Sequence, residues 1–242
     1  MGNVALVTGG SRGIGKAVAL RLAQDGFDIA VNYAANAQAA EAVAAQIRRI
    51  GRQAVALPAD VSHPAQVAEL FANAEQALGR IDLLVNNAGI MPLQTLAEAD
   101  DASFDHIVAV NLKGTFNTLR LAATRLNDGG RIVNFSTSAI GLALPGYAVY
   151  NASKAAVEAL SRTFANELRG RNITVNCVAP GPTDTELFFQ GKTAEQVERL
   201  RKLPPLERIA TPNDIAALVA FLAGPDGGWI NGQVLRANGG MN

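Results

Sequence analysis

A doubly wound α/β fold, with a mostly parallel sheet covered by helices on both faces, is the architecture this sequence predicts. Three observations carry it. Short β-branched runs alternate with Ala-rich helical stretches almost throughout, the βαβα order that feeds right-handed crossovers. The strand-like runs are continuously apolar rather than alternating, as strands are when both faces are covered. Of the 242 residues 49% are apolar but only 5% aromatic, and 23 are Gly, which suits close helix-on-sheet packing better than an aromatic-rich sandwich. No repeat, low-complexity tract or linker divides the chain, so one domain spanning 1–242 is expected.

Strands are expected near 3–7, 28–33, 53–58, 81–86, 131–136, 173–178 and 233–236, and helices near 13–25, 37–50, 64–78, 101–127, 149–169 and 212–223. The first strand runs into Thr8-Gly9-Gly10-Ser11-Arg12-Gly13-Ile14-Gly15, where a helix begins at once. Gly9, Gly13 and Gly15 let the backbone approach a pyrophosphate, and the helix N-terminus offers N–H groups and partial positive charge. Many strand–helix turns hold glycine for sterics alone, so the spacing, G-x3-G-x-G, is one element among several. The second strand ends in Val31-Asn32-Tyr33-Ala34 without a carboxylate to grip an adenine ribose 2′-hydroxyl. Arg12 could instead pair with a 2′-phosphate, which favours NADP(H) over NAD(H); otherwise it is a solvated loop charge. Asp60-Val61 follows the third strand, placed for its carboxylate to accept from an adenine amino group, and Asn87-Ala88-Gly89 follows the fourth, where such sheets bind ligands. Either short stretch alone would be ordinary turn chemistry.

The catalytic candidates come later in the chain. Asn111 is a polar amide within the apolar helical run 107–112 and must find a partner. It either holds a helix distortion, or positions a water that relays protons, or is simply a satisfied core residue. The fifth strand ends in Asn134-Phe135-Ser136-Thr137-Ser138, a hydroxyl cluster at a strand C-terminus. Tyr150 and Lys154 stand four apart, one turn of helix, so the ammonium is expected to pull the phenol below its free pKa of about 10 and make it an acid/base. A Tyr and a Lys at that spacing on a solvated helix are common, and only their company gives the pair weight. The segment 179–211 is long for a compact domain; it is expected to carry a lid at 186–210, with a helix over 193–203.

Charge and composition exclude other classes. The 21 basic and 21 acidic residues cancel without a basic tract, giving nothing for nucleic acid or an anionic membrane. The single cysteine, Cys177, sits in a strand-like run and is expected to be a buried inert thiol. No apolar run nears bilayer length and no secretory signal is evident, so the protein is expected to be soluble and cytoplasmic. His63 and His106 have no carboxylate or Cys partner at metal spacing and are expected to be structural or surface residues, with no metal site.

The ordered set formed by the Gly-rich loop 8–15, Asp60, Asn86 to Gly89, Asn111, the Ser/Thr cluster, Tyr150 to Lys154 and Asn176 to Thr183 resembles the short-chain dehydrogenase/reductase family over essentially the whole chain. The resemblance implies a Rossmann-type fold with strand order 3-2-1-4-5-6-7, a nicotinamide cofactor and no catalytic metal. It also implies a catalytic set of Asn111, a hydroxyl residue, Tyr150 and Lys154. In that set Tyr150 protonates a carbonyl oxygen as hydride reaches carbon, Lys154 also binds the nicotinamide ribose, and Asn111 positions a relay water. Here the hydroxyl is ambiguous: thirteen back from Tyr150 is Thr137, and three back from Gly141 is Ser138, the residue favoured if a bulge ends the strand. Pro180, Gly181, Thr183 and Thr185 match the stretch that touches the carboxamide. Leu142, Leu144, Tyr147, Leu187, Phe188 and Phe189 are expected to line an apolar pocket.

The resemblance further implies a small-molecule carbonyl substrate and a homotetramer, or a dimer, packing the helices near 101–127 and 149–169 against their copies. The nearest members look like 3-oxoacyl-[acyl-carrier-protein] reductases and ketoreductases. An acyl carrier protein could meet Lys192, Arg199, Arg201 and Lys202, although Glu186, Glu195 and Glu198 interrupt them and a solvated amphipathic lid reads better. The expected activity is NADPH-dependent reduction of a ketone or 3-oxoacyl carbonyl. The alternatives are an NAD(P)-linked alcohol or sugar dehydrogenase working oxidatively, and a non-catalytic dinucleotide-binding regulator, against which the Tyr150/Lys154 pair argues.

Overall fold

The computed structural model describes residues 3–242. Seven parallel strands form one sheet in the order β3-β2-β1-β4-β5-β6-β7, as expected. The strands are β1 (Val4–Val7), β2 (Asp28–Tyr33), β3 (Ala54–Pro58), β4 (Leu83–Asn86), β5 (Arg131–Phe135), β6 (Thr174–Pro180) and β7 (Val234–Ala237). The order reverses between β1 and β4, and at such a switch point the loops at the strand C-termini part to leave a crevice.

Side chains alternate across the sheet and build two cores. Ala5, Val7, Ile29, Val31 and Val85 point to one face, beneath α1 (Gly13–Gln24), α2 (Ala37–Arg49) and the last helix, α10 (Pro212–Ala223). Val4, Leu6, Ala30, Leu84 and Ile132 point to the other, beneath α3 (Pro64–Leu78), α5 (Gly114–Arg125) and α7 (Ala148–Glu167). Local chemistry sets the helix starts. Asn36 caps α2 by accepting from Ala39 N at 2.9 Å. Thr211 and Asp214 form a capping box at α10, with Pro212 in its first turn.

Two features depart from the pattern expected of 101–127 and of the loops. The expected single helix is α4 (Asp101–Ile107), a π-helical stretch Val108–Lys113, and then α5. Two short helices, α6 (Ala139–Leu142) and α8 (Glu186–Phe189), flank the crevice, and α9 (Ala194–Lys202) matches the expected helix in the long segment. That segment is closed at its base, where Asp184 N donates to Ala210 O and Ala210 N donates to Pro182 O, both at 2.8 Å.

A buried polar chain crosses the second core. Thr118 Oγ1 donates to Asn86 Oδ1 (2.7 Å), Asn86 Nδ2 to Asn134 Oδ1 (2.8 Å), and Asn134 Nδ2 to Ser161 Oγ (2.7 Å). It ties α5, β4, β5 and α7 at one register, and each member is satisfied. Replacing one of its two middle members, Asn134→Ala, orphans the buried Asn86 amide, while Ser161 Oγ keeps the Cys177 thiol as a donor. Urea unfolding should show a loss of about 3 kcal/mol; a loss below 1 kcal/mol would mean that the chain is dispensable.

Candidate active site

One cavity opens at the C-terminal ends of β4, β5 and β6. Ile14 from the first turn of α1 stands at one end. Asn87 and Gly89 follow β4, Phe135 to Thr137 end β5, and Pro180, Gly181, Thr183 and Thr185 follow β6. Tyr150 and Lys154 form the wall contributed by α7, and Leu142, Leu144, Tyr147, Leu187 and Phe188 make the far end apolar, as expected. Phe189 does not join them: it is 41% exposed and meets Phe188 edge-on. Met241, distant in sequence, and Leu200 complete the wall.

The Gly-rich loop is held from beneath. Gly9 takes a positive φ of 62°, and a β-carbon on Gly15 would stand 2.3 Å from Gly9 O and 2.5 Å from Asn87 Nδ2, so no larger residue fits there. Asn87 Nδ2 donates to Thr8 O and Gly9 O, both at 3.0 Å, while the Asn87 and Ala88 amides donate to Thr8 Oγ1. No side chain caps α1 and its first turn holds no acidic residue, so the helix N-terminus faces the crevice with its partial charge uncompensated. That cradle fits a pyrophosphate.

Asn32 is not available to a ligand. Its Oδ1 accepts from Gly9 N (3.2 Å) and its Nδ2 donates to Ala59 O (3.0 Å), so it braces the loop against β3 while Tyr33 packs on the first core and Ala34 lies exposed. Arg12 reaches across to the first turn of α8, where Nη1 meets Glu186 Oε2 at 2.6 Å; both side chains are largely exposed. Ser11 completes the loop between them.

Asp60 accepts from Ser62 N (2.9 Å) and Ser62 Oγ (2.7 Å), and its second oxygen lies 3.3 Å from His63 Nδ1. Burial pushes its carboxyl up, but the Ser62 hydrogen bonds and His63 outweigh this and hold it below the usual carboxylate value. His63 therefore does have a carboxylate neighbour, contrary to the expectation for an isolated ring. Val61 is buried against α5, its carbonyl accepting from Asn117 Nδ2 at 2.9 Å.

The two candidate hydroxyls separate clearly. Ser138 is 1% exposed; its Oγ donates to Ala179 O (2.9 Å) and accepts from Asn238 Nδ2 (3.0 Å), so both of its capacities are engaged away from the cavity. Thr137 lines the cavity beside Tyr150, and its Oγ1 accepts from Ala139 N (3.2 Å), leaving the O–H as a donor. Ser138, the residue favoured if a bulge ends the strand, is thus turned away from the cavity, and Thr137 lines it. The strand end carries no bulge that turns Ser138 inward, because Ser136 N and Ser138 N keep β6-facing bonds to Val178 O and Pro180 O.

The electrostatics of the pair also differ from expectation. Burial pushes the Tyr150 phenol up to about 12; the Thr137 hydroxyl opposes this and Tyr147 adds to it. Lys154 is buried too, which brings its ammonium down to about 8, and Nζ donates to Phe135 O at 2.9 Å. Without a bound ligand the phenol is therefore not depressed: the ammonium is turned to the strand carbonyl and desolvation dominates.

Asn111 is buried behind this wall, in the π-helical stretch, and does not line the cavity. Its Oδ1 accepts from Ile90 N (2.9 Å) and its Nδ2 donates to Ile90 O (3.0 Å) and Ser153 Oγ (3.1 Å). The side chain thus holds the distorted helix against the loop after β4 and against α7. Thr183 Oγ1 donates to Gly181 O (2.9 Å) and Thr185 caps α8. Of the basic residues in the long segment, Lys192 donates to Phe188 O (2.7 Å) and lies over the Phe188 and Tyr147 rings, while Arg201 and Lys202 pair with Glu198. Arg199 is exposed and makes no ion pair among the described residues. Cys177 is buried with its thiol pushed up to about 11 by desolvation. Among the described residues no helix is long and apolar enough to cross a membrane.

Comparison with known proteins agrees with this geometry. Residues 9–242 match the family described as enoyl-(acyl carrier protein) reductase. A short-chain type dehydrogenase/reductase of Picea abies is 47% identical over 99% of this chain and 92% of its own. An NADPH-dependent aldehyde reductase-like chloroplastic protein of Arabidopsis thaliana is 44% identical over 99% of this chain and 94% of its own. Among solved structures, a short-chain dehydrogenase from Burkholderia cenocepacia in complex with NADP superposes with a TM-score of 0.95 at 40% identity, covering 99% of this chain and 98% of the other.

Proposed function

The chain belongs to the short-chain dehydrogenase/reductase family, and from that premise we propose that it is an NADPH-dependent reductase of small carbonyl compounds, ketones foremost. The observation that carries this is the meeting, in one cavity, of the Thr137 hydroxyl, the buried Tyr150 phenol and Lys154 one turn further along α7. A dinucleotide held on the Gly-rich cradle supplies the hydride when it is bound. The chain supplies the rest. The Thr137 O–H donates to the carbonyl oxygen, and Tyr150 transfers its proton to that oxygen as negative charge develops. The Lys154 ammonium, drawn off Phe135 O toward the site, offsets the desolvation of the phenol and makes it a competent acid. Asn111 keeps Ile90 and α7 in place rather than moving protons. Residues 186–210 serve as a lid on the substrate end, supported by the packing of Leu187, Phe188 and Leu200 onto the cavity.

Cofactor choice follows from charge. The absence of a carboxylate at the end of β2 removes the repulsion a 2′-phosphate would meet, and Arg12 is the nearest cation on the loop. The relatives whose names carry NADPH and NADP support the same preference. The face formed by Val108, Leu112, Phe116, Ala156 and Leu160 between the π-helical stretch, α5 and α7 is apolar, with Phe116 43% exposed, and supports assembly with copies of the chain.

The decisive assay is the initial rate of NADPH and NADH oxidation over acetoacetyl thioesters, aryl ketones, diketones, aldehydes and keto-sugars. Turnover with NADPH is expected; turnover only in the alcohol-oxidising direction would overturn the reading. Tyr150→Phe should lower kcat by about 10²–10⁴-fold with NADPH affinity kept. Thr137→Ala should lower it by about 10²-fold and Ser138→Ala by less than about tenfold; the reverse ranking would return the role to Ser138. In fluorescence titrations Arg12→Ala should weaken NADPH by about tenfold and NADH by less than about twofold.

The pH dependence has a fixed sign. A lowered Lys154 pKa means that the ammonium is present below about 8 and lost above it. The kcat/KM for NADPH, which reports the free enzyme, should fall by up to about tenfold per unit above that value. A profile flat to pH 10 would mean that the charged lysine is not required.

A further inference from the structure

Three residues of α7 spaced one turn apart, Tyr150, Lys154 and Glu158, meet three consecutive residues at the end of β5. The Tyr150 phenol faces Thr137, Lys154 Nζ donates to Phe135 O at 2.9 Å, and Glu158 Oε1 accepts from Ser136 Oγ at 2.5 Å. The first contact belongs to the chemistry proposed above and the second holds the lysine that enters it; the third has no part in it. The bond is short for a hydroxyl donating to a carboxyl oxygen, and Ser136 is only 3% exposed. Ser136 lies between the two residues that matter, so its side chain controls how the 135–137 peptides are turned. Its backbone is already fixed on the other side, with N–H donating to Val178 O at 2.8 Å. Neighbouring strands hold the backbone of this strand end within the sheet, and the glutamate adds a side-chain tie from Ser136 to α7.

We propose that Glu158 is a positioning residue: through Ser136 it locks the end of β5 to α7 at the register that brings Phe135 O to Lys154 and Thr137 to Tyr150. It touches neither substrate nor the reacting atoms, and its effect passes through one hydroxyl. The proposal rests on the reductase reading for its kinetic consequences, but the geometry it invokes exists without turnover.

The test uses Ser136→Ala, Glu158→Ala, their double variant and Glu158→Gln, each checked for wild-type circular dichroism. Each alanine variant should lower kcat by about tenfold while NADPH affinity stays within about twofold, and the double variant should be no worse than the weaker single. Glu158→Gln should recover to within about threefold of wild type, because an amide oxygen still accepts from the hydroxyl. Losses that multiply in the double variant, an unchanged kcat in either alanine variant, or no rescue by glutamine would overturn the proposal. Deuterium uptake over Ile132–Ala139 is measured on the same proteins and should rise by about twofold or more in both alanine variants. If wild-type protein turns over nothing in either direction, the reductase reading falls and the uptake alone decides: increased uptake upholds the lock, and unchanged uptake rejects it.

Discussion

A buried ammonium is the constraint around which this molecule is arranged. Lys154 is 4% exposed, and its Nζ finds one protein acceptor, Phe135 O, for three N–H groups. Such a group is stable only if the surrounding elements leave it nowhere better to go. α7 cannot rotate Lys154 outward without burying Ala152 and Ala155, which now face solvent, or breaking the Ser161 bond to Asn134. The loop after β4 comes close enough that a β-carbon on Gly89 would stand 3.4 Å from Nζ and 3.2 Å from Asn111 Oδ1. The lysine is therefore held in an unfavourable setting by a polar scaffold that is itself complete. The lysine is thus buried beside the phenol from the outset, and only its turn away from Phe135 O is left for the bound state to supply.

The cofactor end is organised by a different balance. Parallel strands bring every βα turn to one edge, so the Gly-rich turn, the ends of β4 and β5 and the start of the long segment converge without further instruction. What has to be built locally is closeness. Asn87, Asn32 and Thr8 answer the backbone groups that a tight glycine turn leaves exposed, and of their side chains only Asn87, on the cavity wall, keeps an oxygen without a protein donor. Arg12 is the opposite case, an exposed side chain held only by an exposed carboxylate. A surface pair of that kind contributes roughly 0–1 kcal/mol, so it competes weakly with a phosphate.

Much of this was legible in the sequence, for a physical reason. Strands covered on both faces must be continuously apolar and helices between them must be Ala-rich on the packed side, so all seven strands and the six long helices follow from periodicity. The strand order and most of the cavity wall followed from the resemblance, including Leu142, Leu144, Tyr147, Leu187 and Phe188. The failures share a cause, which is that they depend on partners far along the chain. Ser138 and Thr137 are chemically alike and adjacent; Asn238, one hundred residues later, is what takes Ser138 out of the site. The π-helical stretch has no signal in an apolar run such as 107–112 beyond Asn111 itself, since the distortion is fixed by Ile90 and Ser153. Met241 enters the cavity because the residues after β7 fold back over the end of β5, where Asn242 Nδ2 donates to Ser138 O at 2.7 Å.

That fold-back explains why the strand end needs fixing from three sides. The residues after β5 take bonds from β6 (through Val178 and Pro180), from the segment after β7 (through Asn238 and Asn242) and from α7 (through Asn151 to Ala139 O at 3.1 Å). Each removes one way for Thr137 to leave the phenol. A parallel strand normally ends where its ladder ends, with its last residues free to become a loop. Here the strand ends at Phe135, yet Ser136 N and Ser138 N still donate to Val178 O and Pro180 O, and side chains from the other elements add to those bonds. The hydroxyl cluster is therefore divided by function: Ser138 secures the loop, Ser136 secures the helix, and Thr137, the one left with a free O–H, faces the cavity.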